Sequence, residues 1–207
     1  MDYKEINDLT KELHKNLDFT IKDFINKNKI KIDCKEGCSL CCKTPSRIEV
    51  LPTEAFYIAE HLKNTMKEKE LNKLIKQLYE NKIKLQNKNL IECSKELTPC
   101  PLLINNSCSI YEYRPFVCRL LLSKDYNICL TYNSFQGHIE GLLDNIFQNK
   151  IYTEYVNNIK EQKLFCKPIE LNDALYTVLT LEDSIDKYLS ENKNIFIELA
   201  ETKIYNF

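Results

Sequence analysis

Cysteine is the residue type in this sequence whose number and spacing point to chemistry. The chain has ten cysteines, and the run CKEGCSLCC places four of them at Cys34, Cys38, Cys41 and Cys42. Thiolates separated by two or three residues can converge on one metal ion if the loop turns sharply between them. Gly37 permits such a turn, because a residue without a Cβ adopts positive φ without strain. The run therefore predicts a metal site.

The adjacent pair Cys41 and Cys42 limits what kind of metal site this is. Neighbouring side chains diverge in most backbone conformations. We therefore expect the two thiolates to serve two metal ions, or opposite sides of a polynuclear centre, and we do not expect a single zinc held by this run alone. On this hypothesis Cys41→Ala and Cys42→Ala each reduce the metal content, by affecting different ions.

A second group of cysteines follows about sixty residues later. Cys100 and Cys108 flank a predicted hairpin that returns one thiol towards the other, because Asn105 and Asn106 tolerate a turn of positive φ. Pro115 suits the first turn of a helix, where amide dipoles stabilise the Cys118 thiolate. Together the two segments offer seven or eight thiolates, which suit two mononuclear sites or an iron–sulfur cluster plus another ion. The predicted metal ligands are Cys34, Cys38, Cys41, Cys42, Cys100, Cys108, Cys118 and Cys129, whereas Cys93 and Cys166 are predicted to be buried structural thiols.

Three further residues within the second segment are candidates for binding a cofactor. Two of the three arginines, Arg114 and Arg119, lie among the cysteines, and a planar guanidinium can hold a carboxylate or a phosphate. The alternative, which we favour, is that they brace the loops and offset the negative charge of a thiolate centre. Tyr111 is the third candidate, with packing as its alternative role.

Among the histidines, His138 is the candidate ligand because it follows Gly137 near the cysteine region. His14 and His61 fall on predicted helices, and we expect them at the surface or at the edge of the core.

The two segments together resemble a known family. The run at 34–42, followed by CPLLINNSCSIYEYRPFVCR at 100–119, is similar to the YkgJ-like cysteine-cluster family, which is described as a zinc- or iron-chelating domain and sometimes as an iron–sulfur protein. The resemblance covers roughly residues 34–137. Some relatives are flagellin lysine N-methylases, which implies S-adenosylmethionine as an alternative cofactor and a protein lysine as substrate. The family pattern CxIYxxRPxxCR falls without a gap on Cys108, Ile110, Tyr111, Arg114, Pro115, Cys118 and Arg119.

The spacing of Cys34, Cys38 and Cys41 also matches the CxxxCxxC motif of radical S-adenosylmethionine enzymes. Those enzymes need a full or partial βα barrel, whereas this chain has three glycines and few predicted strands. We therefore disfavour that class. Because no GxGxxG, P-loop or GxSxG motif occurs, nucleotide-binding folds and serine hydrolases have no support either.

Apolar periodicity predicts the elements that must position the cysteines. Helices are expected over residues 3–27, from Pro52 or Thr53 to about 64, from 71 to about 90, and from 139 to about 159; a further helix is capped by Asn172, and a last one lies near Phe196. A short strand is expected at 48–50. The predicted fold is a mainly α single domain, 1–207, with two irregular cysteine-rich segments and a short hairpin. Its metal-binding core covers about 34–137, flanked by helices in 1–30 and 138–207.

Composition indicates the cellular compartment and excludes some classes of binding partner. A net charge of −1 argues against a nucleic-acid binder, and no apolar stretch approaches the length of a membrane span. Because the first twenty residues contain no apolar core of a signal peptide, we expect a cytoplasmic protein with reduced thiols. Its predicted function is chelation of iron, as an iron–sulfur cluster, or of zinc, with redox or protein-modifying activity towards an unknown protein or small molecule. The alternatives are a methyltransferase that uses S-adenosylmethionine and a zinc-stabilised binding module.

Overall fold

The computed structural model describes residues 1–43, 47–96, 98–131, 145–190 and 195–197. Most of these residues are helical, and the strands among them form two small antiparallel pairs, so the mainly α prediction is confirmed. In chain order the elements are α1 (Tyr3–Lys27), α2 (Leu40–Lys43), β1 (Glu49–Val50), α3 (Pro52–Thr65), α4 (Glu68–Leu85), α5 (Leu90–Lys95), β2 (Leu103–Ile104), β3 (Ser107–Cys108), a 3-10 turn (Tyr111–Tyr113), α6 (Phe116–Leu120), α7 (Tyr126–Thr131), α8 (Asn145–Glu161), β4 (Ile169–Glu170), α9 (Leu171–Thr180) and α10 (Ser184–Leu189).

The first helix has the predicted bounds and a clear start signal. The Asp2 carboxylate accepts a hydrogen bond from the Glu5 amide at 2.8 Å, and the Glu5 carboxylate accepts one from the Asp2 amide at 2.6 Å. This reciprocal capping box satisfies two amides that have no partner within the helix. The apolar stripe that the sequence predicts, including Leu13 and Leu17, is buried against the body of the protein.

Helix α3 lies at the centre of the helical body. It packs against α1 on one side and against α9 on the other, and α9 in turn packs against α4. Phe56, Ile58 and Ala59 on α3 have no exposed surface. Burial of a large apolar side chain stabilises a fold by about 1.5–3 kcal/mol. This central helix is therefore a stable support for the cysteine segments.

The strand pair β1–β4 joins the chain after the cysteine run to the start of α9. Val50 pairs with Ile169, and the Leu171 amide donates to the Ile48 carbonyl at 2.8 Å. The prediction that Asn172 caps this helix is wrong. Since β4 passes directly into α9, the last strand residue, Glu170, provides the cap, and its carboxylate accepts from the Asp173 amide at 3.0 Å.

Other helix bounds differ from the predicted ones for local reasons. Helix α4 begins at Glu68, three residues early, and it ends at Leu85 because Asn87 adopts a left-handed conformation with φ of 59°. The segment predicted to be irregular after Cys34 contains the short helix α2. Helix α8 continues through Tyr155 and Ile159 as predicted, and residues 195–197 are helical. The predicted helical residues Ile139, Leu142, Leu143, Leu199, Ala200 and Ile204 lie outside the described residues.

Within the described ranges, no helix combines the length and the apolar character that crossing a bilayer requires.

Candidate metal centre

The first cysteine run folds as a tight turn followed by one turn of helix. Gly37 has a φ of 83°, and the Cys38 amide donates to the Lys35 carbonyl at 3.1 Å, so the chain reverses where the sequence predicts. Helix α2 then starts beside the buried Ser39, whose carbonyl accepts from the Cys42 amide at 3.0 Å. All four cysteines of the run are left partly buried.

A second segment clamps the start of this run. The Ser123 amide donates to the Cys34 sulfur at 2.9 Å, and the Asp33 amide donates to the Ser123 carbonyl at 2.9 Å. The Asp33 carboxylate also accepts from the amide of Tyr126, the first residue of α7, at 3.1 Å. These bonds fix α7 against the run, and Cys129 on α7 thereby comes within electrostatic range of Cys34.

The predicted hairpin forms and carries two cysteines. Asn105 and Asn106 have φ values of 50° and 59°, which is the twist that a two-residue hairpin turn needs. Leu103 pairs with Cys108 across the hairpin. The Cys100 amide donates to the Cys42 carbonyl at 2.8 Å, so the hairpin is joined directly to the first cysteine run.

Helix α6 brings the third cysteine of this segment into the same region. Pro115 lies at the residue before the helix rather than within its first turn, and α6 starts at Phe116. Cys118 follows one half-turn later and interacts electrostatically with Cys100 and Cys108.

The thiols of both segments form one electrostatic network, and Cys41 lies at its centre. Its neighbour in the chain, Cys42, has the largest effect on its pKa, which it raises. The other thiols that interact with Cys41 come from the run, the hairpin and α6, namely Cys34, Cys100, Cys108 and Cys118.

This network raises the pKa of its thiols. Burial is the main cause for Cys100, whose pKa rises from 9.0 to about 12, and for Cys118 and Cys108, with the neighbouring thiols adding to the effect. The pKa of Cys41 is raised chiefly by its hydrogen bond with Cys42. Since several thiolates cannot be buried together without a compensating cation, the network favours protons or a metal ion.

The donor set suits a thiophilic metal. Thiolate sulfur is the ligand that zinc and iron–sulfur clusters select. Across the described ranges, no three Cys, His, Asp or Glu side chains are grouped closely enough to hold an ion as they stand.

Two cysteines occupy other environments. The fully buried Cys93 directs its sulfur at the carbonyl oxygens of Leu85 and Lys88, at 3.9 and 3.6 Å. The thiol of Cys166 lies near Tyr188 and Lys160, and burial raises its pKa. Cys93 is buried as predicted, whereas Cys166 is only partly buried.

Arg114 and Tyr111 form a stacked pair beside the hairpin. The Arg114 guanidinium lies 3.9 Å from the centre of the Tyr111 ring and donates to the Tyr111 carbonyl at 2.7 Å. Its positive charge lowers the pKa of the neighbouring Cys108 thiol, against the opposing effect of burial. This is the charge compensation that we expect of an arginine near a thiolate centre.

Arg119 is buried and directs its guanidinium into the protein. Its Nε donates to the Arg114 carbonyl at 2.9 Å, and other nitrogens contact the Asp18 carboxylate and the Glu112 carbonyl. Its remaining contact is with His14 Nδ1 at 3.2 Å. The side chain is only 2% exposed. This arrangement is the bracing role, because the guanidinium is occupied by the groups that hold α1 and α6 together.

The histidines differ from the sequence prediction in one case. His14 is buried at 3% exposure rather than at the edge of the core, because its ring bonds both Arg119 and the Glu54 carboxylate. His61 is half-buried and stacks on Tyr113 at 3.8 Å, as a core-edge residue does. The candidate ligand His138 and its neighbour Gly137 lie outside the described residues.

Sequence reasoning missed two acidic residues that position cysteines. Asp33 caps α7, and Glu54 on α3 bonds the first amide of α6. Asp33 directly precedes Cys34, and this position next to a candidate ligand was a weak indication of its role. For Glu54 the sequence offers none beyond its place in the first turn of a helix.

One of the three comparisons with known proteins found a match. No curated protein and no solved structure matches the chain. One family model, CxxCxxCC, matches residues 33–137, just over half of the chain and the whole cysteine-rich region. In this chain the first interval of that motif is three residues rather than two. The chain belongs to the CxxCxxCC family, described as "Putative zinc- or iron-chelating domain".

Proposed function

We propose that this protein binds iron, as an iron–sulfur cluster, through thiolates drawn from both cysteine segments. The observation that carries the proposal is the contact between the two segments, in which the Cys100 amide donates to the Cys42 carbonyl at 2.8 Å and the thiols of Cys108 and Cys118 come within electrostatic range of Cys41. The proposed ligands are chosen from the eight cysteines that this network joins, namely Cys34, Cys38, Cys41, Cys42, Cys100, Cys108, Cys118 and Cys129.

The number of thiols exceeds what a single metal ion takes. One structural zinc takes four ligands, and so does one iron–sulfur cluster, so eight thiols suit either two mononuclear sites or a cluster plus another ion. A cluster would supply one-electron chemistry, whereas zinc would supply folding energy alone. The charge of Arg114 beside Cys108 supports either metal, because each centre carries excess negative charge.

Metal binding would also resolve the electrostatic cost of the site. Burial and mutual repulsion keep the pKa of Cys100, Cys108 and Cys118 high, so the metal-free protein holds these thiols protonated at neutral pH. A metal ion replaces those protons, and its positive charge offsets the repulsion between the thiolates that coordinate it. We therefore expect the segments to become more rigid when the metal binds.

Purification without oxygen tests the proposal. The visible spectrum is recorded together with the iron, zinc and acid-labile sulfide content of the wild-type protein and of the Cys41→Ser variant. A brown wild-type protein with iron and sulfide, and a colourless variant, support the cluster. A colourless wild-type protein with stoichiometric zinc replaces it with the structural-zinc alternative, and a protein without bound metal refutes both.

An iron–sulfur result makes enzymatic chemistry the next question. S-adenosylmethionine, the cofactor implied by the methylase resemblance, is then tested by equilibrium dialysis against the cluster-loaded protein. Retention of the cofactor at one per chain favours a methyltransferase, and no retention favours a redox role.

A further inference from the structure

The Glu54 carboxylate lies in the interior and accepts hydrogen bonds from three separate parts of the chain. It is 1% exposed. Oε1 accepts from the Phe116 amide at 2.6 Å and lies 3.0 Å from His14 Nε2, while Oε2 accepts from the Leu51 amide at 2.9 Å. One side chain thus joins α1, the start of α3 and the start of α6.

Helix α6 depends on this carboxylate because it has little else to define its start. The helix is five residues long, and the residue before it, Pro115, makes no side-chain cap. A helix this short is not stable by itself. A buried amide without a hydrogen-bond partner lowers the stability of the fold. The Phe116 amide therefore keeps its bond to Glu54, and this bond fixes the position of the start of α6. Cys118 lies two residues further on.

The partners of Glu54 hold it in one orientation. Since the Arg119 guanidinium only donates, His14 accepts at Nδ1 and carries its proton on Nε2, which then donates to Glu54. Arg119 is itself fixed by the Arg114 carbonyl and by Asp18. The carboxylate is therefore surrounded by donors on both oxygens.

We propose that Glu54 is a positioning residue of the metal centre: through the Phe116 amide it sets where α6 presents the Cys118 thiolate. This inference rests on the proposed function. Charge compensation cannot be the role of Glu54, because a carboxylate near a thiolate repels it. An effect through charge and an effect through position predict opposite changes in metal affinity for Glu54→Gln. Loss of the negative charge alone would strengthen metal binding, whereas loss of the position of Cys118 weakens it.

Glutamine cannot replace this carboxylate without a conflict. Three donors converge on two oxygens, and the amide nitrogen of Gln would face at least one of them. Glu54→Asp keeps the charge but withdraws the oxygens by one methylene from the Phe116 amide. A positioning role therefore predicts weaker binding in both variants, and a role through charge predicts wild-type binding in Glu54→Asp.

The experiment titrates the reduced, metal-free protein with Co²⁺ alone, without oxygen, and follows the thiolate-to-cobalt charge-transfer absorbance. We expect Glu54→Gln and Glu54→Asp to bind about 10–100-fold more weakly than the wild type, the range found when groups that orient ligands are lost. Tyr188→Phe is the control, because it removes a partly buried 2.7 Å hydrogen bond to the Phe165 carbonyl that involves none of the proposed ligand cysteines. This control should bind Co²⁺ as the wild type does. Thermal unfolding of each metal-free variant measures the general loss of stability separately.

Double-mutant cycles then separate positioning from a general loss of stability. If Glu54 acts through Cys118, Glu54→Gln causes no further loss of Co²⁺ affinity in the Cys118→Ser background. In the Cys34→Ser background the two losses of affinity add, because Cys34 is held by Ser123 instead. Unchanged or tighter binding by both Glu54 variants, or equal additivity in both cycles, overturns the inference. If Glu54→Gln does not fold, Glu54→Asp enters the same cycles. Failure of the wild-type protein to bind Co²⁺ counts against the proposed function instead.

Discussion

The amide of Cys100 donates to the carbonyl oxygen of Cys42 at 2.8 Å. This single backbone bond joins two cysteine segments that are 58 residues apart in the chain. It places the buried Cys100 thiol within electrostatic range of Cys41. Each segment supplies only part of the eight candidate thiols, so this junction decides whether they lie in one region.

Loss of Cys41 should cost more metal than loss of a cysteine outside the network. In Cys41→Ser we expect less than half of the wild-type iron plus zinc per chain, because its thiol interacts with thiols of the run, the hairpin and α6. Cys166→Ser is the matched control, since that thiol is partly buried near Tyr188 and Lys160. Elemental analysis of the anaerobically purified variants measures both. Equal metal loss in the two variants would contradict the central position of Cys41.

Asp33 should control the place of Cys129. Asp33→Ala removes the acceptor for the Tyr126 amide, which costs about 1 kcal/mol as the loss of a helix cap does. Helix α7 then loosens, so we expect lower metal content and faster alkylation of Cys129 in the metal-free protein, measured by mass spectrometry of the peptide. Asp2→Ala removes a comparable cap from α1. If this control alters Cys129 to the same extent, the effect is general destabilisation.

Gly37 should be required for its backbone conformation rather than for space. A Cβ built at this position meets no atom within 4 Å, but φ is 83°. We therefore expect Gly37→Ala to lower the free energy of unfolding by about 1 kcal/mol, and Gly37→Asn to lower it by less, because Asn tolerates positive φ. Urea unfolding of the metal-free proteins gives both values. A larger loss in Gly37→Asn would point to steric crowding instead.

The metal-free protein should lose stability as the solution becomes alkaline. The pKa of Cys100 rises from 9.0 to about 12 on burial, so between these values the unfolded chain has released a proton that the folded protein still holds. The contribution of this thiol is complete below about pH 9, and it is lost as pH rises towards about 12, by at most about 1.4 kcal/mol per pH unit.

Urea unfolding in reductant at a series of pH values measures this slope, with Cys100→Ala as the comparison. The variant should show a shallower fall in the free energy of unfolding, because it lacks the buried thiol. Parallel slopes for the two proteins would show that other groups cause the alkaline loss. In the metal-bound protein the dependence reverses, since metal binding competes with protons and strengthens as pH rises.

Much of the fold was predictable because its signals are local. The apolar spacing along residues 3–27 predicts α1, and two consecutive asparagines predict the hairpin turn, since each depends on nearest neighbours in the chain. The helix cap at Asn172 failed for the opposite reason. A distant pairing of Val50 with Ile169 makes Glu170 the last residue of a strand, and that residue becomes the cap.

The sequence by itself determined which residues are candidates for metal chemistry, because the number of thiols and the spacing of CKEGCSLCC are properties of the chain alone. Only the tertiary structure decided how they are related. Ser123 and Asp33 bring Cys129 within electrostatic range of Cys34, and buried His14 contacts both Glu54 and Arg119. These relations join residues tens of positions apart, so they depend on how the helices pack.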